Sequence, residues 1–167
     1  MPVTLSARAR PSSSPLLGLI ALGSLAAVGA ALVAQHAFGV KPCPWCVMQR
    51  GVFLLLALAA GLGWLLGRWR VLRRGASLLS LALAGAGLAA AYYQHEVASK
   101  LASCDMTLAD RILIALDLEA RWPSMFMVTA SCSEATAYTL LGLPYEIWSA
   151  LSFALMGLLA ILAWRRG

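Results

Sequence analysis

Two cysteines separated by two residues, Cys43 and Cys46 in the stretch KPCPWCVMQR (41–50), are followed four residues on by Arg50. A Cys-x-x-Cys pair points to thiol–disulfide chemistry, because closing so short a loop removes little unfolded-chain entropy and makes a poor staple. Exchange needs a thiolate, and positive potential nearby favours one. Pro44 suits the first turn of a helix, which sets a helix start near Trp45 or Cys46 and aims its unpaired amides at the Cys46 sulfur. Arg50, one turn deeper, lies on the same face of that helix. An arginine at the edge of an apolar segment also serves as an interfacial anchor; the spacing from Cys46 favours the redox role.

Two further cysteines, Cys104 and Cys132, complete the set of four. Four cysteines allow three pairings, and sequence alone does not choose among them. The two-residue gap favours Cys43 with Cys46, leaving Cys104 with Cys132. Closing that second loop of roughly 29 residues would stabilise by about 3–4 kcal/mol in the chain-entropy model, so a structural role for the second pair stands beside a redox one. Four thiolates around zinc are the competing chemistry, and the wide separation of Cys104 from Cys132 speaks against it. No stretch resembles a flavin, haem or nucleotide motif. The oxidant that fits is therefore a lipid-soluble one in the bilayer, such as a quinone.

The elements that must position these residues are apolar. Of 167 residues, 61% are hydrophobic and 12% charged, with a mean hydropathy of +0.80, outside the range of soluble domains. Four segments reach the length that crosses a bilayer, at 16–37, 47–67, 75–93 and 145–164. Residues 1–15 read as a cytoplasmic tail and 16–167 as a single four-helix redox domain. A cleavable signal peptide is the rival reading of the N-terminus, and the first apolar run is too long for one. The net charge of +6 does not imply nucleic acid, because eight of the thirteen Lys and Arg fall on one side of the membrane and all seven acidic residues lie between the third span and the first turn of the fourth. Both termini are expected in the cytoplasm. Both cysteine-bearing loops then face the oxidising compartment, where disulfides persist.

The long second loop carries Leu108, Ile112, Ala115 and Leu116 at helical spacing. A short amphipathic helix on the membrane surface is expected there, with Trp122 at headgroup level and Pro123 ending it.

The stretch QHAFGVKPCPWCVMQR (35–50) resembles the first outer loop of the bacterial disulfide bond formation protein B (DsbB) family. The segments SCD (103–105), SCSE (131–134) and LLGLPYEIW (140–148) resemble those around that family's second cysteine pair and the start of its last helix. The resemblance implies an all-α four-helix bundle of the bacterial inner membrane. It would reoxidise a periplasmic DsbA-type thioredoxin-fold oxidase and pass the electrons to the membrane quinone pool, ubiquinone or menaquinone. It further implies that Cys104 forms the mixed disulfide with the partner and that Cys132 then attacks Cys43. Cys46 is thereby freed as the thiolate that meets the quinone, with Arg50 stabilising the charge. His36, His95 and Trp148 are the further candidates for the quinone pocket.

Two positions depart from the family pattern. Pro144 precedes Trp148 by four residues where the family commonly has two, and His95 lies closer in sequence to Cys104 than the family histidine does. Both His36 and His95 also read as capping or interfacial histidines. Two other functions remain open: a vitamin K epoxide reductase-like protein, against which cysteine order argues, and a disulfide-stapled four-span scaffold without enzymatic activity. Electron flow in the opposite direction would need a cytoplasmic or intramembrane cysteine, which the sequence lacks.

Overall fold

The computed structural model describes residues 15–67, 69–101 and 106–166. Cys104 and all but the last residue of the N-terminal tail lie outside them. Four long helices dominate: α1 (Pro15–Phe38), α2 (Pro44–Leu66), α3 (Arg70–Glu96) and α8 (Tyr145–Arg166). Each contains a stretch long and apolar enough to cross a bilayer, and the chain is a multi-pass, all-α membrane protein. Contacts run α1 to α2, α2 to α3, α3 to α8 and α8 back to α1, which closes the four helices into a ring.

The outward faces are apolar, with Leu22, Leu58, Leu79 and Leu155 exposed, whereas Ser24, Ser77 and Ser80 are fully buried. Lipid tails solvate leucine well, so the interior can mix large side chains such as Leu17, Ile20 and Leu56 with small and polar ones that let backbones approach. Phe53 of α2 and Phe153 of α8 stack at its centre, centroids 3.9 Å apart and 6° from parallel. The Phe153 ring occupies the space that a Cβ on Gly87 of α3 would need. Gly87→Val should therefore cost about 1–3 kcal/mol by overpacking and lower the unfolding midpoint in detergent; an unchanged midpoint would show the ring free to move.

The helices overrun the apolar stretches that announced them. α2 begins at Pro44 instead of 47, and α3 extends from Arg70 to Glu96 instead of 75–93. Hydropathy marks the part of a helix that fits in lipid, and hydrogen bonding carries the helix on through Arg70, Arg73, Gln94 and His95. α1 is stopped by Gly39 at φ 67°, with the Val40 amide bonded back to the Ala34 carbonyl at 3.1 Å.

The connection between α3 and α8 contains a 3₁₀ turn (Ala98–Lys100) and the short helices α4 (Leu108–Ala115), α5 (Leu118–Arg121), α6 (Pro123–Phe126) and α7 (Cys132–Ala135). The expected amphipathic helix exists as α4, opened by a capping box between Thr107 and Asp110. Its buried face is a second row, distinct from the apolar row marked in the sequence, which faces out as that of a surface helix would. Ala109 and Leu113 are buried, Leu113 against Val47 and Phe126, while Leu108 and Leu116 point outward. Pro123 does not end it: Asp117, at φ 52°, breaks the helix first, and Pro123 starts α6. Beyond α7, strands β1 (Thr139–Leu140) and β2 (Leu143–Pro144) form a hairpin. Leu141 and Gly142, both at positive φ, make its tight turn.

Candidate redox site

Cys43 caps the N-terminus of α2, and its sulfur accepts the Cys46 backbone N–H at 3.3 Å. Pro44, at the first helical position, has no amide to satisfy. The two sulfurs are 2.7 Å apart. The second loop brings the next sulfur to this point. The Thr129 and Ala130 amides both donate to the Pro42 carbonyl, at 3.0 and 3.3 Å, which ties the chain before α7 to the chain before α2. A capping box between Ser131 and Glu134 then opens α7 and fixes Cys132 in its first turn. Cys132 thereby packs against Cys43 and Trp45 in one buried cluster, with its sulfur directed at that of Cys43. Cys132, Cys43 and Cys46 form a continuous run from loop to span.

The amides at the start of α2 therefore serve Cys43 and Cys132. Burial pushes the Cys43 thiol up, and the hydrogen bond from Cys43 holds Cys132 below the usual thiol range. Of these two sulfurs Cys132 is the better thiolate and Cys43 the better electrophile once bridged.

Cys46 has a different donor. Gln94 of α3 directs Nε2 at its sulfur from 3.2 Å, and Gln49 Nε2 donates to Gln94 Oε1 at 2.7 Å. Both amides are almost fully buried, and the second bond fixes the first amide with its N–H₂ toward the sulfur. Sequence reasoning missed this pair. A glutamine at the end of a long apolar helix was the available signal, since a buried amide in a span needs a partner. Gln94→Leu should slow alkylation of reduced Cys46 at neutral pH by about tenfold, the worth of one hydrogen bond to a charged group; an unchanged rate would mean that the amide does not bear on the thiolate.

Arg50 is also buried, with Nη1 donating to Gln35 Oε1 at 2.6 Å and to the Met125 carbonyl at 2.9 Å. It and Cys46 line one cavity of about 740 Å³, within the roughly 300–1,000 Å³ of small-molecule sites. Alanines 27, 30, 31 and 34 of α1, with Phe38 and Phe53, supply an apolar wall, and Trp148, Ser149 and Ser152 of α8 supply a more polar one. Trp148 Nε1 donates to the Leu140 carbonyl at 3.0 Å, which holds the hairpin at the cavity rim. His36 and His95 are not among the lining residues. His36 Nε2 donates to the Ser124 carbonyl at 3.0 Å, fastening α6 to α1, and His95 Nδ1 donates to Glu146 Oε1 at 3.2 Å. Glu146 itself lines the cavity, a position sequence reasoning did not single out.

Fold and site together define a four-span membrane protein with a dithiol at the mouth of an intramembrane cavity. Residues 13–163 match the family model described as Disulfide bond formation protein DsbB. Curated relatives agree. The chain is 34% identical over 149 residues to Disulfide bond formation protein B of Polaromonas naphthalenivorans, covering 87% of each chain. It is 35% identical over 149 residues to the protein of that name from Aromatoleum aromaticum, covering 87% of this chain and 88% of the relative. With Disulfide bond formation protein B 1 of Pseudomonas putida it shares 33% identity over 145 residues, 86% of this chain and 83% of the relative. The chain belongs to the DsbB family.

Proposed function

We propose that this protein is a disulfide oxidoreductase that reoxidises a periplasmic DsbA-type thioredoxin-fold oxidase and delivers the electrons to membrane quinone. The observation that carries the reading is the run of three sulfurs, Cys132 to Cys43 to Cys46, ending on a largely apolar cavity beside a buried arginine. The arginine-rich ends of the spans support an orientation with both termini in the cytoplasm of the inner membrane and both cysteine loops in the periplasm.

In this reading a thiolate of the partner attacks the Cys104–Cys132 bridge, bonding to Cys104 and releasing Cys132. Cys132 attacks Cys43, forming a bond between the loops and breaking the Cys43–Cys46 bond, so that Cys46 leaves as a thiolate. The partner's second thiol displaces Cys104, which returns to Cys132 and frees Cys43. Cys43 and Cys46 then rejoin, giving up two electrons. Two partner thiols have become a disulfide and the protein is unchanged.

The residues of the cavity suit a quinone: small apolar side chains for the ring and tail, and the Arg50 guanidinium and Gln49 amide for a polar carbonyl edge. When bound, a quinone, ubiquinone or menaquinone, supplies a two-electron acceptor. Around it the protein does the rest. Gln94 holds Cys46 in place, Arg50 offsets the thiolate charge, and the packed apolar wall excludes water, which strengthens both interactions. Purified protein given a reduced thioredoxin-fold partner should reduce decylubiquinone catalytically, and a Cys46→Ser protein that matched it would refute the assignment.

A further inference from the structure

Reducing a quinone to a quinol consumes two protons as well as two electrons; the partner's two thiols release two protons at the outer surface, and the sulfur run carries only the electrons inward. The cavity wall contains one carboxyl group, that of Glu146, with a side chain 1% exposed. An ionisable side chain at this depth is costly to bury, and intramembrane carboxylates with histidine partners commonly move protons. Glu146 has such a partner. Its Oε1 accepts from His95 Nδ1 at 3.2 Å, and the His95 side chain is 44% exposed at the outer end of α3. The other ring nitrogen, Nε2, lies 3.9 Å from Glu96 Oε1, itself 43% exposed and held by Lys100 at 3.0 Å. A line of three titratable groups thus runs from the outer surface to the wall of the cavity that Cys46 also lines.

We propose that Glu96, His95 and Glu146 form a proton-entry route by which the outer aqueous phase supplies the quinone cavity. This rests on the quinone reading above. Glu146 delivers a proton from its carboxyl to the reduced acceptor and is left as carboxylate; His95 returns a proton from Nδ1 to Oε1 and is itself reloaded at Nε2 from water or Glu96. Each proton donated inward is replaced by one from the outside, and no electron passes through these groups. Histidine is suited to the middle position because its two nitrogens exchange donor and acceptor roles near neutral pH. The charged and titratable groups facing Glu146 are His95 from α3, Cys46 and Arg50 from α2, Lys41 from the α1–α2 connection, and Tyr138 and Tyr145 on its own side. Of these, only His95 combines a hydrogen bond to the carboxylate with broad exposure to the outside.

The test uses the full-length protein in detergent. In quinone-free protein the apolar reagent dicyclohexylcarbodiimide, which adds to protonated carboxyl groups, should modify Glu146, as read by peptide mass, and decylubiquinone should protect it. Absence of modification across the pH range of activity would overturn the route. With a reduced thioredoxin-fold partner, Glu146→Gln should reduce decylubiquinone about a hundredfold more slowly, with the deficit growing as pH rises. Exchange among the cysteines, followed by thiol trapping, should be unchanged. Small weak acids such as formic acid should restore part of the Glu146→Gln rate, and His95→Asn should behave likewise. A loss that no weak acid restores would assign Glu146 a structural role and overturn the route. If wild-type protein reduces decylubiquinone and Glu146→Gln does so equally at every pH, the proton route fails and the quinone reading stands. If wild type itself fails to reduce it, both fall.

Discussion

A Cys132→Ser protein should keep its Cys43–Cys46 bridge intact in the presence of excess reduced thioredoxin-fold partner, and its quinone reduction should fall by about a thousandfold or more. The reason is geometric. Cys132 is the sulfur that the second loop packs against Cys43, held there by the Pro42 carbonyl and by the α7 capping box. Serine preserves the fold of that turn and removes the nucleophile, so the effect isolates chemistry from folding. Trapping free thiols with a mass-adding maleimide reads the outcome directly. Prompt reduction of Cys43 and Cys46 in this variant would mean that the partner reaches the inner pair without the relay.

Substitution of Arg50 should separate electron delivery from sulfur exchange. Arg50→Leu removes the buried cation beside Cys46 and leaves the Gln35 side chain and the Met125 carbonyl without their donor. Hydrogen bonds to a charged group are worth about 1.5–3 kcal/mol, so quinone reduction should fall by about 10- to 100-fold. Transfer from Cys132 to Cys43 should persist, because neither sulfur depends on the guanidinium for its position. Arg50→Lys keeps the charge and loses the fork that spans α1 and the loop, and should fall between wild type and leucine. Lysine equal to arginine would reduce the role to charge alone; leucine equal to arginine would remove Arg50 from the site.

Much of this arrangement was legible in the sequence. Apolar runs of about 20 residues admit few folds in a bilayer, so the four spans followed from hydropathy alone, with errors confined to their polar ends. The Cys-x-x-Cys pair and Arg50 were legible because their spacing on one helix fixes their relative position. What was hidden depends on contacts between elements. Gln49 and Gln94 lie 45 residues apart and meet only because α2 packs on α3. The stripe of Leu108, Ile112 and Leu116 on α4 was legible as that of a surface helix, whereas the Ala109 and Leu113 row that packs inward shows only in the contacts. Glu146 reads as an ordinary acidic residue at the start of a helix until its position on the cavity wall and its bond to His95 are seen.

The helix start near Cys46 teaches the same lesson at smaller scale. Pro44 announced it correctly, but which sulfur receives the helix amides depends on where the preceding chain turns, and Cys43 is the N-cap.

In the proposed function Cys46 presents its thiolate to a quinone in the cavity. A visible absorption spectrum of purified Cys43→Ser protein, in which Cys46 has no bridge partner, tests it most directly with ubiquinone or menaquinone added. A charge-transfer band between thiolate and quinone should appear, and it should vanish when Cys46 is also replaced by serine. A band that survived loss of Cys46, or no band with either quinone, would contradict the claim.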